Sequence, residues 1–127
     1  MIDYPTINRN LLLVVPKQPF YDWSNKLFSD LAPTQASDVQ EHNSYLLEED
    51  LFLDDPKKEL KKYWKSIFIN ELFGQCTDKS TFPKLSWKLF TEWFDFYRSS
   101  VIMDLSEDPL YTNIMTKRPV SEFELNL

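Results

Sequence analysis

Five consecutive apolar residues, Leu11-Leu12-Leu13-Val14-Val15, closed by Pro16, constrain this chain more than any other feature. The run is too short to span a bilayer and too continuous for a strand with one wet face. It predicts a β-strand covered on both faces and therefore central in its sheet. Pro19 suits the first turn of a following helix. Phe20, Trp23, Leu27 and Leu31, with Phe28 beside them, recur at helical spacing and predict a helix from about 19 to 30.

A polar connection holding Pro33 and Thr34 leads to Ser44–Glu48, which reads as a short second strand. Strand, helix and strand at this spacing predict a right-handed crossover with the two strands parallel. Asp54-Asp55-Pro56 then offers an N-cap carboxylate, a first-turn proline and negative charge against the helix dipole. Leu60, Tyr63, Trp64, Ile67, Phe68 and Leu72 fall on one face of that helix, and Gly74 is placed to end it. Trp64 sits mid-face, so Trp64→Ala is expected to cost roughly 3–5 kcal/mol. Ser86 can cap a third helix whose apolar face is Leu89, Phe90, Trp93, Phe94 and Tyr97. Ser100 to Leu105 reads as the third strand, with Val101, Met103 and Leu105 on one side. The order β-α-β-α-α-β predicts an α/β fold of the α+β two-layer sandwich kind, a three-stranded mixed sheet with helices packed on it. Residues 1–105 form the domain and 106–127 a tail, docked or partly flexible. Leu110, Tyr111, Ile114, Val120, Phe123, Leu125 and Leu127 give the tail apolar groups, so the tail or a second copy of the chain is expected to cover the sheet's other face.

The chain's 127 residues suit one domain, and a 43% hydrophobic, 16% aromatic content supplies a bulky core without staples. Twenty Asp and Glu against fourteen Lys and Arg leave a net charge of −6, which lacks the positive footprint of phosphate binding. Cys76 is the sole cysteine, so no internal disulfide forms, in keeping with a reducing compartment. The first residues show no basic stretch followed by an apolar one, so no secretory signal is read there and a cytoplasmic location is expected. Gly74 is the sole glycine; glycine-rich phosphate loops, dinucleotide fingerprints and a glycine-flanked nucleophile elbow are excluded. With one His and one Cys, so is a structural zinc site. No cofactor, metal site or membrane partner is expected.

Two stretches carry a resemblance. They are Pro16-Lys17-Gln18-Pro19-Phe20-Tyr21-Asp22-Trp23, and Phe90-Thr91-Glu92-Trp93-Phe94-Asp95 running on to Ser100-Val101-Ile102-Met103-Asp104-Leu105. Over roughly residues 8–105 the chain resembles a family of small bacterial proteins with no assigned activity. In that family a strand leads into a Pro-Lys-x-Pro-Phe-x-Asp-Trp turn, and a Trp-Phe-Asp helix leads into a Ser-x-Val-x-Asp-Leu strand. The resemblance implies a fold class and a bacterial source and supplies no mechanism.

The side chains able to do chemistry each have a plainer explanation. His42 and Cys76 could pair as base and nucleophile, but both lie in polar connections with nothing to join them. Lys57, Lys58, Lys61, Lys62 and Lys65 could touch phosphates; as the polar side of a helix they are ordinarily a solvated face. Glu48, Glu49, Asp50, Asp54 and Asp55 could hold a hard cation, yet they lack the spaced loop and its turning glycine. The aromatic face of Tyr63, Trp64, Phe68, Phe90, Trp93 and Phe94 could stack a flat ligand, but is ordinarily core. Asp22, Asp95 and Asp104 stand beside aromatic or apolar residues, where split pKa values would allow acid–base work. Lys17 follows the first strand, at the strand end where α/β proteins gather ligands. An antiparallel third strand would bring Asp95 and Arg98 to it. The candidate binding site is therefore Lys17, Asp22 and Trp23 with Trp93, Asp95 and Arg98, and no catalytic residue is assigned. The preferred reading is a small non-catalytic interaction or regulatory protein whose partner is a protein, the chain itself or another. A small enzyme or ligand-binding domain using Asp carboxylates and Lys17 is the alternative, and an RNA-binding domain a second, disfavoured by charge.

Overall fold

A computed structural model describes residues 4–49 and 56–112. Strand β1 (Arg9–Pro16) leads into helix α1 (Gln18–Leu27). Strand β2 (Asn43–Glu48), helix α2 (Pro56–Gln75), helix α3 (Trp87–Trp93) and strand β3 (Phe94–Ser99) follow. The sheet order is β2-β1-β3, so the Leu11–Val15 run is central as expected. The element order is the expected one, and the fold is a small α+β sandwich with helices on one side of a three-stranded sheet.

Strand direction departs from expectation: β1 pairs antiparallel with both neighbours, so the sheet is antiparallel and not mixed. The reason lies in the connection after α1. Asn25 Nδ2 and Gln18 Nε2 both donate to the Thr34 carbonyl, at 3.0 and 3.3 Å. The Thr34 N–H donates to Asn25 Oδ1, and the Ala36 N–H to Gln18 Oε1, each at 2.8 Å. These bonds lead the chain back along α1 to its beginning. It re-enters the sheet beside the end of β1, Asn43 opposite Val14, and can only run backwards. The helix also ends earlier than its apolar spacing suggested, leaving Phe28 and Leu31 exposed beyond it.

The third strand lies earlier than expected, at Phe94–Ser99 instead of 100–105. The Lys17 N–H donates to the Trp93 carbonyl at 2.7 Å, which draws the chain into the sheet as soon as α3 ends. Ser86 caps that helix as predicted, its hydroxyl accepting from the Leu89 N–H. Residues 100–105 instead extend the pairing loosely to the N-terminal segment: Thr6 bridges Met103, and the Ile7 N–H donates to Ile102. Val101, Met103 and Leu105 are exposed, not core.

The side chains of β1 alternate. Leu12 and Val14 join Leu47, Phe94 and the helix residues Phe20, Tyr21, Ile67, Phe68, Leu72 and Phe90 in one core. Leu11, Leu13 and Val15 point the other way and are only half-buried. The tail expected to cover that second face falls largely on residues 113–127, outside the described residues. Trp64 is likewise half-buried, at the core's margin beside Trp87 and Phe90, so the largest cost of a core truncation belongs elsewhere.

Gly74 does not terminate α2. The helix runs through Gln75, and Gly74 has no positive φ. An added Cβ there would meet nothing within 4 Å. Gly74→Ala is therefore expected to raise stability by about 0.5–1 kcal/mol, the ordinary cost of a helical glycine. A shift in thermal midpoint checks this; a loss of stability would mean a hidden clash.

Candidate functional site

The predicted cluster is only partly assembled. Lys17 Nζ lies 3.8 Å from Asp95 and 3.4 Å from the Thr91 carbonyl, both half-open to solvent. Trp23 and Trp93 do meet, with ring centroids 6.3 Å apart, and the Trp23 indole donates to the Thr81 carbonyl at 3.0 Å. Both tryptophans pack against the core. Asp22 is exposed on α1, taking a hydrogen bond from Gln18. Arg98 stands opposite Leu12, well along the strand from Lys17, and pairs with Glu59 in the first turn of α2. The lysine-bearing face of α2 is also partly tied down: Lys62 pairs with Glu48 at 2.9 Å, and Lys61 lies over the Trp87 ring. His42 and Cys76 have separate surroundings, Cys76 Sγ lying 3.7 Å from the Thr81 hydroxyl.

A different set of polar groups converges elsewhere. Between α1, the connection into β2 and the end of α2 lies a cavity of about 390 Å³, within the range of small-ligand sites. Pro16, Phe20 and Val39 supply apolar wall; His42, Asn43 and Glu71 supply polar groups. Glu71 is only 5% exposed. Its Oε2 accepts from Asn43 Nδ2 at 2.6 Å and from the Tyr45 hydroxyl at 2.5 Å. Asn70 in turn donates to that hydroxyl at 2.9 Å. His42 Nδ1 is buried with no hydrogen-bond partner.

Burial raises the Glu71 carboxyl above its ordinary value; the Asn43 and Tyr45 hydrogen bonds and the nearby His42 oppose the rise and do not cancel it. Burial, with Glu71 adding to it, pushes the Tyr45 and Tyr21 phenols up as well. A carboxyl whose pKa rises on folding holds more protons folded than unfolded, so stability falls as pH climbs from the ordinary glutamate value through the raised one. Glu71→Gln keeps an oxygen for Asn43 and Tyr45 and removes the titration. The variant is expected to be more stable than the parent at neutral pH and to show a flatter stability profile across that window. Denaturant midpoints measured against pH check this; parallel profiles for the two proteins would refute it.

Sequence reasoning passed over Glu71, although a signal was present. It stands four residues after Ile67 and three after Phe68, on the apolar side of α2, where a carboxylate must be satisfied or do something. Among the described residues, no group of three or more His, Cys, Asp and Glu is arranged to hold a metal ion, and no helix is long and apolar enough to cross a membrane.

The sheet's outer face is a second feature. Leu46 lies opposite Leu11, and Tyr97 opposite Leu13. Leu46 is 53% and Tyr97 57% exposed, so with Leu11, Leu13 and Val15 they form an apolar surface across all three strands. Comparison of the chain with protein-family models, with curated proteins and with solved structures gave no match.

Proposed function

We propose that the chain is a small non-catalytic interaction domain of the cytoplasm, and that it works by pairing through the outer face of its sheet with a second copy of itself. One observation carries this reading: the helices occupy one side of the sheet, while the other presents Leu11, Leu13, Val15, Leu46 and Tyr97 half-open to water. An apolar surface spanning three strands is characteristic of a docking site.

Charge does not oppose self-pairing, because both signs are present at each end of this face. Arg9 begins β1 opposite Glu48 at one end, and Asp95, opposite Val15, pairs with Lys17 at the other. A two-fold axis through Leu13 sets Leu11 of one copy over Val15 of its mate, so the apolar rows stack. The test is sedimentation equilibrium of the full chain over a concentration series. The expected result is a dimer that Leu13→Lys converts to a folded monomer. A wild-type chain that stays monomeric throughout the series overturns the reading.

A further inference from the structure

We propose that the cavity between α1, the connection into β2 and the end of α2 binds a small organic cation, a primary ammonium on a short hydrocarbon body. This stands apart from the sheet face and does not depend on self-pairing. The lining contributes two carboxylates, Glu71 at depth and Glu41 at the exposed rim, and no lysine or arginine. The donors nearest the buried carboxylate, Asn43 Nδ2 and the Tyr45 hydroxyl, are both spent on the same oxygen, Oε2. An anion entering here would meet two carboxylates, whereas an ammonium would supply donors to Glu71 beyond the two it already accepts. His42 Nδ1, buried on the same lining without a partner, is a further polar atom that a ligand could satisfy. Val39, with the edges of Pro16 and Phe20, gives a short hydrocarbon body a small apolar contact in a largely polar lining. Glu41, His42 and Glu71 are not grouped so as to hold a metal ion together, which favours an organic cation.

Gly74 offers a second position from which to test the cavity. It lines this cavity, its backbone needs no positive φ, and a Cβ there would touch nothing. Neither turn geometry nor close packing requires glycine, and helix stability disfavours it. Gly74 is exposed, so a side chain there would extend into open space beside the cavity.

The experiment is an amide NMR titration of the full chain with n-butylammonium, using n-butanol and butyrate as probes of equal chain length. The cation alone is expected to give saturable shifts centred on residues 41–43 and 71–75. Glu71→Gln is expected to weaken binding about tenfold or more, as loss of a charged hydrogen-bonding partner does. Gly74→Leu sets a bulky side chain at the cavity lining while keeping the helix and should weaken binding; it serves as the second variant if Glu71→Gln misfolds. Shifts centred elsewhere, an equal response to butanol, no response to the ammonium, or undiminished binding in the folded variants would each overturn the proposal.

Discussion

Phe68→Ala is expected to destabilise the domain by about 3–5 kcal/mol, the range for removing a fully buried aromatic side chain. Phe68 has no exposed surface and lies where the helices meet the sheet. Its ring centroid is 5.7 Å from those of Phe90 and Trp93 and 5.4 Å from that of Phe94, so one truncation strips contacts from α3 and β3 together. Close aromatic pairs add to the area term, and the rigid neighbours leave the cavity little means of collapse. The melting temperature should fall on the order of 15 °C. Trp64→Ala, at the half-buried margin, should cost clearly less. Parallel thermal melts decide the ranking, and equal losses would mean that the core is centred nearer Trp64.

The Glu59–Arg98 pair carries the second large effect. The two side chains keep only 10% and 21% of their exposure, and Glu59 Oε1 and Arg98 Nε are buried without hydrogen-bond partners. Removing one charge leaves the other desolvated and uncompensated. Glu59→Ala is therefore expected to cost about 2–4 kcal/mol, below the fully buried range because Arg98 retains some contact with water. Glu59 also sits in the first turn of α2, where its negative charge favours the helix dipole. Replacing both partners, Glu59→Leu with Arg98→Met, should lose much less than either single truncation, since no orphaned charge remains. Denaturant midpoints for the singles and the double check this, and additive losses would show that the pair is not coupled.

Local chemistry made much of this fold legible. The unbroken Leu11–Val15 run placed the central strand, and Ser86 marked the start of α3 through a side-chain cap that the structure contains. What escaped were features decided by contacts distant in sequence. The direction of β2 depends on Gln18 and Asn25 holding Thr34 and Ala36, a pattern that no periodicity reveals. The third strand was misplaced because Phe90, Trp93, Phe94 and Tyr97 fit a helical period while Phe94, Phe96 and Arg98 fit a strand. Pairing with β1 selects the second. The five apolar residues of β1 suggested two dry faces, whereas the described residues bury one and half-expose the other.

The candidate site was less legible for the same reason. Lys17 and Asp95 were correctly drawn together, because an antiparallel third strand implies their approach. Arg98 was not, since side chains alternate along a strand: Asp95 takes the outer face and Arg98 the inner, where Glu59 holds it. The cavity around Glu71 needs α1, the connection into β2 and α2 in place before it exists at all.

The central position of β1 bears on how quickly the chain reaches this state. The strand made first is completed last: Leu12 finds Tyr45 early but waits for Arg98, at the far end of the domain, before its second edge closes. Loops that long carry a closure entropy that must be met before the strand pair returns anything. Refolding should accordingly be slow for so small a domain. On the ribosome, β1 and β2 can associate while β3 is still unmade, leaving one side of β1 unpaired until synthesis has passed Ser99. That interval, with an open edge on the most apolar strand of the protein, is when the chain is most exposed to pairing with the wrong partner.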